Sequence, residues 1–481
     1  MTLCSLPVSA MNARCRALLL AALAVAAVSV AEAQTTPAVS PVLALSGSRI
    51  ADGVIVGPDG ALYGASATSI STTGGLIFRV TTDGTSVETL YQFDSTDGIS
   101  PQGALLLGSD GVLYGSTQFT NGGSAAGMGT LFRVAVDGTG FTTLHNFAPS
   151  TTTNVNTNPI NANGASPTAA LIEGSDGLLY GVTRFGGPAG TGVVYKIGKD
   201  GSGFALLHAF AAVTSPASSA VTVNADGAHP RATLAESAGY FYGTTNSGGA
   251  NGQGTVFRLR FDGSGFEVLH VFTTPMAVSG QTFLANEDGA TPQAGLTDGG
   301  DGMLYGTATA GGANGGGVLY SITPDTPDGS VFTPLHDFAA EGGSQPIGTL
   351  LLATDGRLYG TTSNGGTTSS GAASTLGAVY SVARDGTGHT KLHSFDGTTG
   401  SNGNGRMVQL NATEFIGTTT NGGRCGSGTI FRLSLAGTTV PGDTTCGSDS
   451  GGGGGGASSP GLLLLFGALA LVHAVRRRHL A

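Results

Sequence analysis

Between the two ends of this chain apolar positions come in short bursts that alternate with polar ones, never at the three-and-four spacing of a helix face. Residues 101–147 show the pattern in full. Ala104, Leu105, Leu106 and Leu107 form an apolar run, Gly108-Ser109-Asp110-Gly111 makes a turn, and residues 112–117 run back through Leu-Tyr-Gly. A Gly-rich loop leads to residues 130–136, where Phe132, Val134 and Val136 share one face and Leu131 and Arg133 the other. Asp137-Gly138-Thr139-Gly140 then turns the chain into residues 141–147, ending on Leu-His-Asn-Phe. The pattern predicts four antiparallel strands per unit with apolar residues on both faces. A sheet with a solvated face would avoid that; sheets stacked face to face around an axis require it.

The unit repeats. Its anchor recurs at Tyr63-Gly64, Tyr114-Gly115, Tyr180-Gly181, Tyr242-Gly243, Tyr305-Gly306 and Tyr359-Gly360, with a degenerate Ile416-Gly417 closing the series. Successive anchors are 51, 66, 62, 63, 54 and 57 residues apart, too long for a rung of a solenoid and near the length of a propeller blade. The expected fold is therefore all-β: a seven-bladed β-propeller of four-stranded antiparallel blades spanning residues 34–437. The seventh copy has no Leu-His-x-Phe strand after it. Residues 42–46 are expected to supply that strand and close the ring, which removes open sheet edges.

Composition narrows the setting. Charged residues are only 10% of the chain and glycine is 83 of 481 residues. Setting aside Arg14, Arg16, Glu32 and the arginines after residue 460 leaves 15 Lys and Arg against 29 Asp and Glu, an acidic balance that disfavours nucleic acid as a partner.

The two ends read as addresses. Residues 1–33, with a start at Met11 as an alternative, form an expected signal peptide. Arg14 and Arg16 precede an apolar run, and Ala31-Glu32-Ala33 offers signal peptidase a cut between Ala33 and Gln34. At the other end a Gly/Ser-rich stalk, residues 438–460, precedes a tail, residues 461–481. The tail's apolar stretch ends in Arg476-Arg477-Arg478. Those arginines would stay cytoplasmic. The stretch of about 15 residues reaches roughly 22 Å, short of a bilayer core, so a transient sorting signal fits better than a permanent membrane anchor. Helix is expected only in these two ends. With Cys4 and Cys15 removed in the leader, Cys425 and Cys446 form an even pair in an oxidising compartment and are expected to bridge. The chain is expected at the cell envelope, cell surface or outside the cell, as a monomer.

Candidate chemistry is sparse. Asp97, Asp226 and Asp288 occupy one repeat position, in turns of the form Asp-Gly-x-x-Pro, and could ring the mouth of a channel and hold calcium. The same residues also supply an ordinary turn ahead of a strand. His145, His208, His270, His336 and His393 share another repeat position and read as packing residues. Arg79, Arg133, Arg258 and Arg432, with Lys196, are expected to tie neighbouring blades. Neither a nucleophile with its base nor a zinc-type cysteine set is present, so no catalytic or cofactor-binding residue is nominated.

The run Asp-Gly-x-Leu-Tyr-Gly-Thr-Thr, then Gly-Gly, then Gly-Thr-Val-Phe-Arg, clear at residues 239–258 and 355–380, resembles the GloVer tandem-repeat proteins. The resemblance covers about residues 50–435 and implies an exported bacterial protein without enzymatic activity. The tripartite C-terminal tail resembles GlyGly-CTERM sorting signals, which implies cleavage near Gly455 and Gly456 by a rhomboid-type protease. The expected function is non-catalytic binding of a glycan, matrix component or protein. A propeller-type polysaccharide lyase or hydrolase, and a purely structural module, are the alternatives. Residues 150–162, 211–223 and 273–286 are the least repetitive segments and are expected to build specificity on the looped end.

Overall fold

Each Tyr-Gly anchor lies on the second strand of a small antiparallel sheet, its glycine opposite an aromatic residue of the third strand: Gly115 faces Phe132, Gly181 faces Tyr195, and Gly417 faces Phe431. A Cβ added to Gly115 would stand 2.5 Å from the Phe132 ring, and one on Gly417 2.3 Å from the Phe431 ring. The glycine recurs because a ring lies across it. The tyrosine recurs for another reason. Its hydroxyl donates to the aspartate of the preceding turn, over 2.7 Å from Tyr114 to Asp110, 2.6 Å from Tyr180 to Asp176 and 2.7 Å from Tyr359 to Asp355. Asp-Gly-x-Leu-Tyr-Gly is thus a hairpin closed by its own side chains, with a ring packed over its glycine.

The computed structural model describes residues 36–44, 48–68, 74–94, 96–120, 128–150, 152–153, 158–215, 221–326 and 329–439. Among them there is no helix, and so none long and apolar enough to cross a membrane. The leader, Ala33, Gln34, Cys446, the stalk with Gly455 and Gly456, and the tail with Arg476, Arg477 and Arg478 lie outside the described residues.

The fold is a β-propeller arrangement of small antiparallel sheets. Five sheets stand apart, one of them built from Ile99–Pro101, Leu106–Leu107, Val112–Phe119, Thr130–Ala135 and Thr142–Asn146. The first and last repeats are not separate sheets. They merge into one of eight strands, joined at the axis by a single parallel pair, Gly53 with Arg406. Gly405 makes this possible, since a Cβ there would stand 2.7 Å from the Asp52 backbone.

The ring closes through its beginning. Ala38–Ala44 pairs antiparallel with Thr429–Ser434, placing Leu43 against Ile430. This strand starts before the expected residues 42–46, and 45–47 lie outside the described residues. Pro41 sits where the register shifts, on an edge strand that spares it a ladder donor.

The innermost strands meet backbone to backbone around the axis: the Asp52 amide donates to the Gln102 carbonyl over 2.9 Å, and a Cβ on Gly103 would stand 2.6 Å from the Ala169 backbone. Between the sheets lie clusters of buried apolar side chains, such as Tyr114, Leu131, Phe147, Leu179 and Tyr195.

Candidate functional site

Three features converge on the end where the long loops gather. The first is the turn before each inner strand. Its second glycine-following residue has a left-handed backbone in six repeats: Ser100, Ser166, His229, Thr291, Gln345 and Asn402, at φ between 51° and 60°. Each donates its amide to the loop before the third strand of the preceding sheet, as from Ser166 to Met128 at 2.8 Å and from His229 to Thr191 at 2.8 Å. An asparagine secures the turn from outside. The Asn224 amide donates to the Ala211 carbonyl (2.8 Å) and the Gly227 carbonyl (2.7 Å), while its oxygen accepts from Gly227 (2.9 Å) and Gly249 (2.8 Å). Asn161 and Asn286 repeat this. The spacing Asn-x-Asp/Asn-Gly marks these residues in the sequence.

Each aspartate of these turns is engaged from the outer strand of the preceding repeat. His208 Nε2 lies 2.9 Å from Asp226, and His270 Nε2 lies 2.9 Å from Asp288. Asp288 also accepts from the Thr273 amide at 3.0 Å and from the Thr273 hydroxyl. Burial raises the Asp288 pKa, but the bonds from His270 and Thr273 outweigh it and hold the carboxyl below its ordinary value. Asp97 accepts from the Tyr91 hydroxyl, Tyr91 standing where the other repeats have histidine, and burial holds its pKa up. Among the described residues no three of His, Cys, Asp and Glu come together as metal ligands. At Asp226 and Asp288 the carboxylate stands in a histidine–aspartate pair, because residues 18 apart in sequence meet there.

The same histidines stack on an aromatic residue of the next repeat: His145 on Phe204 at 3.8 Å, His208 on Phe266 at 3.6 Å, His270 on Phe332 at 3.8 Å and His336 on His389 at 4.2 Å. Burial under these rings pushes the pKa of His145 and of His389 down to about 4. Of the recurring cations, Arg133, Lys196 and Arg258 reach the next repeat, at Lys199, Phe261 and Asp325. Arg79 and Arg432 instead pair within their own repeats, with Asp59 and Glu414.

The second feature is the insert set. Thr152–Thr153 pairs with Pro159–Ile160, Thr214 bridges Val223, and Met276–Ala277 pairs with Leu284–Ala285, so the inserts are short hairpins. Asn158 of the first lies 2.9 Å from His229 Nε2, which places that insert over a left-handed turn. The third exposes Met276 (73%), Val278 (39%) and Leu284 (56%). A cavity of about 370 Å³ opens beside it, lined by Val221, Gln253, Thr274, Pro275, Leu284 and Ala290.

The third feature is the charged lining of the axial channel. Along each inner strand, buried residues alternate with half-buried ones: Pro230 and Ala232 are buried, Arg231 and Thr233 are not. The half-buried positions face the lumen. Asp52, on the first inner strand, is also half-buried, between buried Ala51 and Gly53. Water reaches these groups, yet protein crowds them closely. Burial drives the Asp52 pKa up to about 7 against the pull of Arg231, and burial lowers that of Arg231. Arg184, which follows the strand Leu179–Thr183, donates its amide to the Ser166 carbonyl over 3.1 Å, and the adjacent Phe185 ring stands 5.2 Å from the ring of His229, two residues before Arg231. Charged residues of neighbouring repeats, Arg184 and Arg231, are thereby brought toward each other.

The family model of the Gloeobacter/Verrucomicrobia repeat matches residues 27–224 and 218–372. A propeller of tandem repeats is thus what the fold defines. The chain belongs to the Gloeobacter/Verrucomicrobia repeat family. No curated protein matches it. Among solved structures it is similar to a GH74 enzyme of Niastella koreensis, at 18% identity over 78% of this chain and 52% of that one, with a TM-score of 0.45. It is also similar to a gluconolactonase of Xanthomonas campestris, at 12% identity over 84% and 92%, with a TM-score of 0.40. A Bacteroides thetaiotaomicron protein of unknown function aligns at 12% identity over 83% and 76%, with a TM-score of 0.40.

Proposed function

We propose that this chain is an exported, non-catalytic binding module that presents the insert-bearing end of a seven-bladed ring to a glycan, matrix component or protein. The count of seven follows from treating the eight-stranded sheet as two four-stranded blades, since each half carries its own anchor glycine, Gly64 or Gly417. Export rests on the leader with its Ala33–Gln34 cut. A cell-envelope address rests on the glycine run and the apolar, arginine-tipped tail. A Cys425–Cys446 bridge would tie the stalk to the closure, because Cys425 Sγ lies 3.7 Å from the Ala44 carbonyl oxygen on the closing strand.

The observation that carries the binding role is the third insert, where Met276, Val278 and Leu284 are exposed side by side above the 370 Å³ cavity. Apolar side chains left exposed on a hairpin gain little in folding and offer contact area to a partner. The test is to screen the purified chain against a glycan array and an envelope-protein panel, beside a variant lacking residues 276–285. Hits lost in the variant while its melting is unchanged support the reading. Loss of soluble protein, or hits that survive the deletion, would overturn the role of the insert, and turnover of a bound sugar would favour the lyase or hydrolase.

A further inference from the structure

We propose that the axial channel is a binding site for an oxyanion, the carboxylate, sulfate or phosphate group of a small ligand, held by Arg231 and Arg184 beside Asp52. The proposal goes beyond the insert surface and needs no partner there. It starts from the repeat. At the lumen position of Arg231 five of the other repeats carry Gln102, Thr168, Gln293, Ile347 and Asn404, and at the position of Arg184 five carry Gln118, Asn246, Thr309, Ser363 and Thr420. Folding of a repeat therefore needs no charge at either place. Yet one repeat supplies a guanidinium at the end of its second strand, and the next supplies another on its inner strand.

Neither guanidinium has an anionic partner. Among the described residues no carboxylate lies within ion-pair distance of Arg231 or Arg184. Arg184 rests over the Phe185 ring at 4.8 Å, and its Nε is buried without a hydrogen-bond partner. One repeat before Arg231 on the same ring of positions, the Thr168 hydroxyl is also buried and unpaired. Burial, and then the charge of Arg231, lower the pKa of Arg184, while burial lowers that of Arg231 against the pull of Asp52. Holding two like charges half-buried without a counter-charge is unfavourable, and unpaired donors add to that. Two guanidiniums and a hydroxyl without acceptors, in a narrow lumen, are matched by an oxyanion, whose oxygens accept the planar fork in pairs. The acidic surface makes this the more specific, since a free anion has little reason to gather elsewhere on the molecule.

The test is calorimetric titration and thermal-shift measurement of the full chain with acetate, galacturonate, sulfate and inorganic phosphate, against chloride at matched ionic strength. Arg231→Gln and Arg184→Gln are run alongside. Glutamine is native at the equivalent Gln102 and Gln118, so both variants are expected to fold, which their melting in chloride verifies. The expected result is saturable binding of at least one oxyanion, weakened about tenfold or more by either substitution, as loss of a charge-assisted bidentate pair implies. Preference for galacturonate over acetate would assign a sugar-borne carboxylate, and preference for sulfate or phosphate an inorganic or esterified anion. Stabilisation no greater than chloride gives, or binding unchanged in both variants, would overturn the site.

Discussion

At Gly115 the whole repeat is compressed into one missing Cβ. The Phe132 ring occupies that space at 2.5 Å, so Gly115→Ala is expected to destabilise the chain by about 1–3 kcal/mol, the usual effect of overpacking a filled core. Chemical denaturation measures it; a loss below a few tenths of a kcal/mol would show that the ring is free to move. Asp288 carries a different kind of constraint. Asp288→Ala strips acceptors from His270 Nε2, the Thr273 amide and the Thr273 hydroxyl, and is expected to cost roughly 1–3 kcal/mol through donors left unpaired. Asp288→Asn, which keeps an acceptor oxygen, should lose less.

Histidine sets the acid limit of stability. His145 has its pKa depressed to about 4 by burial, and a depressed base favours the folded state above its ordinary pKa of about 6.5. That contribution is lost as pH falls from about 6.5 toward 4. Melting followed across this window should show a decline that His145→Phe makes shallower; an identical slope in the variant would contradict the assignment. Asp52 works in the opposite direction. Its pKa is raised to about 7, so it favours folding fully below the ordinary carboxylate value and progressively loses that effect as pH rises through 7. Asp52→Asn should therefore melt higher than the parent at pH 8 and match it at pH 4.

Among elements, the four-stranded unit was legible because its constraints are local. Asp-Gly turns, the Tyr-Gly anchor and the alternation at Phe132 and Val134 each span a few residues, and the structure places them in one hairpin and its neighbour. The closing strand was legible only by elimination, from a missing outer strand in the last repeat, and its start at Ala38 was not. The histidine–aspartate pairing was not legible, although both repeat positions had been noticed, because the two lie 18 residues apart on different local motifs. The inserts were recognised as departures from the repeat, but the hairpins with Met276 and Leu284 at their exposed edge depend on pairings that no short-range signal encodes.

In the whole molecule, the axial charges were the least legible feature. Arg231, Arg184 and Asp52 are isolated polar residues in sequence, and only wrapping the inner strands around one axis brings them together. The left-handed residues from Ser100 to Asn402 belong to the same level: they turn each inner strand toward the axis, and their amides tie each sheet to the one before. Stacked pairs such as His145 on Phe204 and His208 on Phe266 bind sheet to sheet at the rim. Repeats held only by such neighbour contacts share their stability through the ring, so opening it at one point should weaken all of them.

That dependence on closure is tested most directly by melting a chain that lacks residues 34–44, with and without an added peptide of residues 36–44. The account predicts a lower and broader transition in the truncated chain, restored by the peptide as it pairs with Thr429–Ser434. Melting unchanged by the truncation would contradict a ring shut by its own first strand.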